Sequence, residues 1–218
     1  VYVYGAGSGP LLTSTTQKRA TNPLGRSRIE MEDAYRRSDV QTIILRAGDF
    51  IDTEVSGNWF ESYITARTAR GVLVAPGDPE VPHAWAYLPD LARVAVLLAE
   101  KREYLDPFEE VLFPGFTLSL RHMQELIGRI LDRDLRLRRF PWWAIRIATP
   151  FWPMGRHLLE MSYLWRMPHQ LDGSRLSQLL PNFHGTDPLT AIATSLGARR
   201  DIDPDQTMTG RQVHIAAE

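Results

Sequence analysis

A mixed α/β fold is predicted for this chain, because short apolar strands alternate with amphipathic helices along most of its length. The apolar runs Gln41 to Ala47 and Glu110 to Phe113 have the length of buried strands, and a helical stripe from Asp90 to Arg102 lies between them in sequence. Strands that alternate with helices are typical of a parallel sheet with helices packed on it. We therefore expect a layered α/β structure.

The first forty residues are expected to contain one strand and one helix. Val1 to Tyr4 alternates valine and tyrosine, which predicts a buried strand that ends in the glycine-rich loop Gly5 to Pro10. Asn22 and Pro23 form a typical helix start, and the helix continues to about Ser38.

The rest of the chain is expected to continue the alternation. A helix is predicted from Gly57 to Arg70, followed by a strand from Val72 to Ala75, and Asp90 is a typical N-cap for the next helix. The later predicted elements are a Ser119-capped helix to Ile130, a strand over Leu135 to Phe140, a helical region from Trp142 to Arg166, and short helices over Ser174 to Leu180 and Asp187 to Leu196. The change to aromatic helical sequence after Pro141 predicts two parts, residues 1–140 and 141–218.

Composition narrows the classes of function. Lys and Arg number 25 against 26 Asp and Glu, so a net charge of -1 gives no general attraction for nucleic acid. Cysteine is absent, which excludes disulfides and thiol catalysis and is compatible with a reducing cytoplasm. No stretch reaches the roughly 20 consecutive apolar residues of a membrane span. The spacing of histidines and carboxylates indicates no metal site. We expect a cytoplasmic protein that acts on a small molecule.

Several motifs occur together in one order. Val1-Tyr2-Val3-Tyr4-Gly5, the helix from Leu24 to Arg28, the strand Ile44 to Asp49 and the segment Pro82 to Asp90 follow one another. Over residues 1–140 this order resembles the extended short-chain dehydrogenase/reductases, in particular the NAD-dependent epimerase/dehydratase group. The resemblance implies the C-terminal part of a Rossmann-like doubly wound sheet with a small, mostly helical substrate-side subdomain.

The same resemblance implies a function for the complete protein. It would bind NAD or NADP and transfer hydride at a carbonyl or hydroxyl group of a substrate, with a sugar-related compound as one class. A homodimer through the helix from Asn22 to Ser38 is the assembly that the family suggests. Because the chain opens directly on a strand pattern without the N-terminal glycine fingerprint, we expect it to be a portion of a longer protein, inactive by itself.

The chain departs from the family at the catalytic pair. Leu24 and Arg28 stand where the family has Tyr and Lys. Leu24 has no proton to transfer, whereas Arg28 keeps a fixed positive charge that can hold ribose hydroxyls. The alternative for Arg28 is an ordinary surface pair with Glu32, four residues further along the helix.

The resemblance also assigns residues near the nicotinamide and the substrate. Ala47 and Gly48 correspond to backbone that passes the cofactor, and Asp49 corresponds to a substrate contact; a turn residue is the alternative for Asp49. His83 is near the place of a phosphate-binding Arg, so it is a candidate for substrate contact and for proton transfer. Trp85 is a further substrate candidate, although its alternation with alanine on a strand-like segment favours packing.

Two other features leave a different class of function open. Gly5-Ala6-Gly7-Ser8-Gly9 has the wrong glycine spacing for a pyrophosphate loop, so it is read as a plain glycine loop. The tryptophan-rich stretch from Trp142 to Trp152 suits either core packing or a membrane interface, and packing is preferred. The rival reading is a non-catalytic protein that binds a nucleotide or a partner, at a membrane or complex surface.

Overall fold

The computed structural model describes residues 1–54 and 56–197, and they form a mixed α/β structure. The strands are β1 (Leu11–Leu12), β2 (Thr42–Arg46), β3 (Asp49–Ile51), β4 (Val72–Ala75), β5 (Pro82–Tyr87), β6 (Phe108–Leu112), β7 (Phe116–Ser119), β8 (Arg136–Arg139) and β9 (Gln170–Leu171). The α-helices are α1 (Pro23–Arg37), α2 (Leu88–Glu100), α3 (Leu120–Leu131), α4 (Trp142–Ala148), α5 (Pro153–Met161), α6 (Ser174–Leu179) and α7 (Pro188–Gly197). The predicted α/β fold class is confirmed.

Most strand pairs are parallel. Strand β2 pairs with β6, β4 with β8, and β1 with β9, each in parallel orientation. Strand β5 is the centre of a three-stranded sheet, with β3 parallel on one side and β7 antiparallel on the other. The chain leaves β2 and enters β3 after only two residues, Ala47 and Gly48, so this short link joins two sheets.

Two predicted helix starts are confirmed by their capping groups. The Asn22 side chain accepts a hydrogen bond from the Gly25 amide, and Pro23 occupies the first turn of α1, where its missing N–H costs nothing. At α3, the Ser119 hydroxyl accepts from the His122 amide. These local signals fix where both helices begin.

Two predicted elements are wrong in detail. Val3 and Tyr4 are buried, but residues 1–4 form turns rather than a strand, with the Tyr4 amide donating to the Val1 carbonyl. The helix expected from residue 57 to 70 is reduced to a π-turn over Phe60–Ile64 and a 3₁₀ turn over Thr68–Arg70. Tertiary packing determines the conformation of these two segments, because apolar side chains in both are buried although the backbone forms neither a strand nor an α-helix.

Asp90 is not the N-cap of α2. The helix begins at Leu88, and the Asp90 carboxylate accepts from the amide and hydroxyl of Thr186 at 2.6 and 3.0 Å and from Arg93 at 2.6 Å. Asp90 therefore ties α2 to the segment that precedes α7. The prediction failed because its partner lies far away in sequence.

The largest core cluster includes residues from both predicted parts of the chain. Ile51 and Trp85 of the central sheet pack in the same cluster as Trp165 and Ile192. The predicted division at residue 140 stays a prediction, and residues 198–218 lie outside the described residues. Among the described helices, none is both long enough and apolar enough to cross a membrane.

Candidate functional site

A cleft of about 600 Å³ lies beside α1, at the carboxyl end of β2. The sequence-predicted residues Arg28, Ala47, Gly48 and Asp49 all line it. In open α/β sheets, ligands bind outside the carboxyl ends of the strands. Four of the predicted site residues are therefore brought together where this fold places ligands.

The link from β2 to β3 is built around Gly48. A Cβ atom at this position would lie 2.0 Å from the Ala84 carbonyl oxygen of β5, so no side chain fits. The close approach puts Asp49 opposite Trp85 in the parallel pair β3–β5. Gly48 thus positions Asp49 against the strand that carries His83.

Asp49, which lines this cleft, has the buried His83 as a neighbour. The His83 Nδ1 atom is 3.9 Å from the Asp49 Oδ2 atom, and the histidine side chain is 1% exposed. Burial raises the pKa of Asp49 to about 7. Burial and the neighbouring His169 lower the pKa of His83 to about 3, and the nearby Trp165 backbone offsets only part of that shift. The predicted Asp49 and His83 are thus neighbours, although Asp49 is the one that lines the cleft.

His169 is a third member of the group that the sequence did not indicate. Its backbone amide donates to the Pro82 carbonyl at 3.0 Å, which brings its ring to a centroid distance of 4.8 Å from the His83 ring. Burial lowers the pKa of His169 to about 4. We call Asp49, His83 and His169 the Asp-His-His cluster. A signal was present: both histidines directly follow a proline, at Pro82-His83 and Pro168-His169.

A second group of buried charges lies on another side of the cleft. Arg46 donates to both carboxylate oxygens of Glu32 at 3.0 and 2.9 Å and to Glu110 at 2.9 and 3.1 Å. Lys18 adds contacts of 2.7 and 2.8 Å to the same two carboxylates. We call Lys18, Glu32, Arg46 and Glu110 the charge network. It joins α1, β2 and β6 beneath the cleft.

Burial by itself raises the pKa of Glu32, but hydrogen bonds from Arg46 and Lys18 outweigh it and leave that pKa below its usual value. Glu32 therefore belongs to the charge network and not to the surface pair with Arg28 that the helix spacing suggested. Arg28 is exposed on the cleft wall, and Leu24 is 43% exposed on the same helix. Arg28 thus lines a cavity of ligand size.

Trp85 does not line the cleft. Its side chain is fully buried in the core, and its indole Nε1 donates to the Leu118 carbonyl at 3.1 Å. The substrate contact predicted for Trp85 is corrected to core packing, because the pleat of β5 directs this side chain into the largest cluster.

Comparison with known proteins shows similarity in fold but not in sequence. No family model matches this chain, and no curated protein matches it in sequence. The UDP-glucuronic acid 4-epimerase from Bacillus cereus, in complex with UDP-glucuronic acid and NAD, matches with a TM-score of 0.68 at 14% identity, over 91% of this chain and 59% of that one. The dTDP-glucose 4,6-dehydratase from Streptomyces venezuelae, with NAD bound, matches at 0.66 and 15%, over 92% and 58%.

The NAD-dependent NDP-hexosamine 5,6-dehydratase TunA matches at a TM-score of 0.67 and 17% identity, over 94% of this chain and 62% of that one. This chain has the fold of these enzymes. The likeness extends beyond residue 140, where the sequence resemblance ends, and takes in the C-terminal helices. The chain spans about three fifths of the length of the solved structures it matches, between 58% and 62%. The predicted Rossmann-like character is thereby confirmed at the level of fold.

Proposed function

We propose that the protein is an NAD(P)-dependent oxidoreductase or epimerase-like enzyme that acts on a carbonyl or hydroxyl group of a sugar-related substrate. The observation that carries this proposal is the cleft at the carboxyl end of β2, where Arg28, Ala47, Gly48 and Asp49 converge. The matched structures, whose names include NAD and nucleotide sugars, support the choice of ligand class.

The residues of the cleft fit the nicotinamide side of a dinucleotide. Arg28 has a fixed charge and several N–H donors for ribose hydroxyls, and the backbone at Ala47 and Gly48 offers a flat surface for a ring. A nicotinamide cofactor supplies or accepts hydride. The loop Gly5 to Gly9 leads into the two-residue strand β1, so within the described residues it does not open a helix that can hold a pyrophosphate. The chain therefore provides part of a cofactor site.

Asp49 is the proposed substrate contact. Its carboxyl group lines the cleft and is suited to hydrogen bonds with sugar hydroxyls, whereas it repels a nearby diphosphate. The proton-transfer role predicted for His83 stays a prediction. The His83 Nδ1 atom lies 3.9 Å from the Asp49 carboxylate, which is beyond hydrogen-bond distance.

The role of Arg28 is tested by titrating the ¹⁵N-labelled protein with NADH and NADPH and following amide chemical shifts, which detect weak binding. We expect shifts at Arg28, Ala47 and Gly48. Arg28→Leu is expected to weaken binding at least about tenfold, because a hydrogen bond to a charged group contributes about 1.5–3 kcal/mol. Arg26→Leu is the matched control, since Arg26 is exposed on the same helix outside the cleft lining. Equal affinities of both variants, or no shifts in the cleft, would refute the assignment.

A second candidate function is favoured by the exposed apolar surface on α4, α5 and the turn between them. We call this the aromatic surface; its members are Trp143, Ile147, Phe151, Trp152 and Met154. Phe151 is 93% exposed and Trp143 69% exposed, and the neighbouring Arg146 and Arg156 are also exposed. Exposed apolar patches with basic neighbours are typical of membrane or partner contacts.

The second candidate is therefore a non-catalytic protein that binds at a membrane surface. Sedimentation with anionic and neutral phospholipid vesicles tests it. Binding to anionic vesicles that is lost in the double variant Trp143→Ala, Phe151→Ala supports this function. The control is Tyr104→Ala, which removes an aromatic side chain that is 84% exposed elsewhere. Absence of binding to both kinds of vesicle removes the candidate.

A further inference from the structure

The Asp-His-His cluster collects three groups that bind metal ions. One donor atom from each of Asp49, His83 and His169 lies within 4.8 Å of the other two. All three come from different segments, namely β3, β5 and the residue before β9. Two histidines and one carboxylate are a common ligand set for divalent transition-metal ions.

The histidines in this cluster have nitrogen atoms without hydrogen-bond partners. No nitrogen of His83 meets the distance and angle of a hydrogen bond, although the Trp165 backbone lies near enough to the ring to raise its pKa. The Nε2 atom of His169 also has no partner, and both residues are 1% exposed. A buried polar group that lacks a partner costs about 1–3 kcal/mol. Because a neutral imidazole has a lone pair on only one of its two nitrogen atoms, the two histidines offer two nitrogen lone pairs at this place, which a metal ion can accept.

His169 is held in the tautomer that a metal ligand requires. Its Nδ1 atom is 2.9 Å from the Met167 carbonyl oxygen, and only a protonated Nδ1 can donate to that oxygen. The Nε2 atom then carries a free lone pair. Metal-binding histidines commonly donate their second ring nitrogen to a carbonyl or carboxylate in this way.

We propose that Asp49, His83 and His169 form a binding site for one divalent transition-metal ion of the zinc type. A carboxylate oxygen of Asp49, one nitrogen of His83 and the Nε2 atom of His169 are the ligands. Because Asp49 lines the cleft, the open coordination position is available to a water molecule or a substrate oxygen from that side.

The distances are compatible with this site after small side-chain movements. A tetrahedral ion with bonds of about 2.0–2.1 Å holds its ligand atoms about 3.3 Å apart. Asp49 and His83 are at 3.9 Å, and the widest separation in the cluster is within 4.8 Å. The ligand atoms must therefore approach one another by up to about 1.5 Å, which rotation of the side chains can supply without moving the backbone. Nitrogen donors disfavour Mg²⁺ and Ca²⁺, which select oxygen ligands.

Chelator-stripped protein is titrated with Zn²⁺ in competition with a chromophoric chelator, and with Co²⁺ followed by visible absorption. No dinucleotide is added, so the result is independent of the proposed function. We expect one equivalent of Zn²⁺ per chain and a tetrahedral or five-coordinate Co²⁺ spectrum. Asp49→Asn, His83→Gln and His169→Gln should each weaken Zn²⁺ binding more than about tenfold.

The matched control is His157→Gln, which removes a histidine that is 63% exposed and 3.5 Å from Glu160. This variant should bind Zn²⁺ like the wild-type protein. The proposal is overturned if the wild-type protein binds no Zn²⁺ at micromolar concentration. It is also overturned if His157→Gln reduces Zn²⁺ binding and the three cluster variants do not. Circular dichroism verifies that each variant is folded. If a cluster variant fails to fold, Zn²⁺-dependent thermal stabilisation of the wild-type protein, absent in the remaining cluster variants, decides the question.

Discussion

The charge network and the Asp-His-His cluster both border the same cleft, but they differ in whether their buried polar atoms have hydrogen-bond partners. In the charge network, Arg46 and Glu32 are 6% and 5% exposed and every carboxylate accepts hydrogen bonds from a cation. In the cluster, the two histidines are equally buried, and three of their nitrogen atoms have no partner.

This difference indicates a structural role for the charge network and a ligand-binding role for the cluster. A fully paired buried network is stable once formed and fixes α1 against β2 and β6. A group of unpaired donors and acceptors lowers stability and is retained where a ligand completes it. This comparison predicts effects of opposite sign when one member of each group is replaced.

The largest expected effect is at Arg46. Arg46→Met leaves the buried Glu32 and the partly buried Glu110 with Lys18 as the cation that still donates hydrogen bonds to both, so the free energy of unfolding should fall by about 3–5 kcal/mol. Urea denaturation measures it. Arg36→Met is the control, because Arg36 is 51% exposed and 3.9 Å from Glu110, and its loss should cost less than about 1 kcal/mol. Similar losses for both variants would contradict the buried role of Arg46.

The next effect is the pH dependence of the charge network. Because the folded state holds the pKa of Glu32 below its usual value of 4.5, the pair contributes stability above that value. This contribution is lost as the pH falls through the folded-state pKa. One group changes the free energy of unfolding by at most about 1.4 kcal/mol per pH unit. Urea denaturation between pH 6 and 3 should show that the free energy of unfolding falls less steeply with decreasing pH in Glu32→Gln than in the wild-type protein. The same pH dependence in both proteins would contradict the role of Glu32 in acid stability.

The smallest effect has the opposite sign. His83→Met removes two unpaired buried nitrogen atoms and keeps an adaptable apolar side chain beside Trp165, so the metal-free protein should gain about 1 kcal/mol. Thermal denaturation in the presence of a chelator measures this gain. His157→Met, which replaces a histidine that is 63% exposed, is the control and should change stability little. A clear loss of stability in His83→Met would mean that His83 is a structural residue.

Much of the fold was predictable because its signals are local. Asn22 and Ser119 cap their helices through side-chain contacts three residues away, and the apolar runs of β2 and β4 are strands in the structure. Residues 1–4 and 57–70 were mispredicted, because their burial depends on partners that other segments supply. The same holds for Asp90, whose carboxylate reaches Thr186 rather than its own helix.

The candidate site divides in the same way. The resemblance to the short-chain dehydrogenase/reductases, carried by motifs within the sequence, predicted that Arg28, Ala47, Gly48 and Asp49 lie near one ligand, and all four line the cleft.

Only the tertiary structure placed Trp85 in the core and brought His169 to His83, through the backbone bond from His169 to Pro82. Local sequence patterns predict helices, strands and their caps, because these depend on residues that are close in sequence. Which distant side chains share a buried space depends on how the sheets pack, and that decided which histidines are buried and which are exposed.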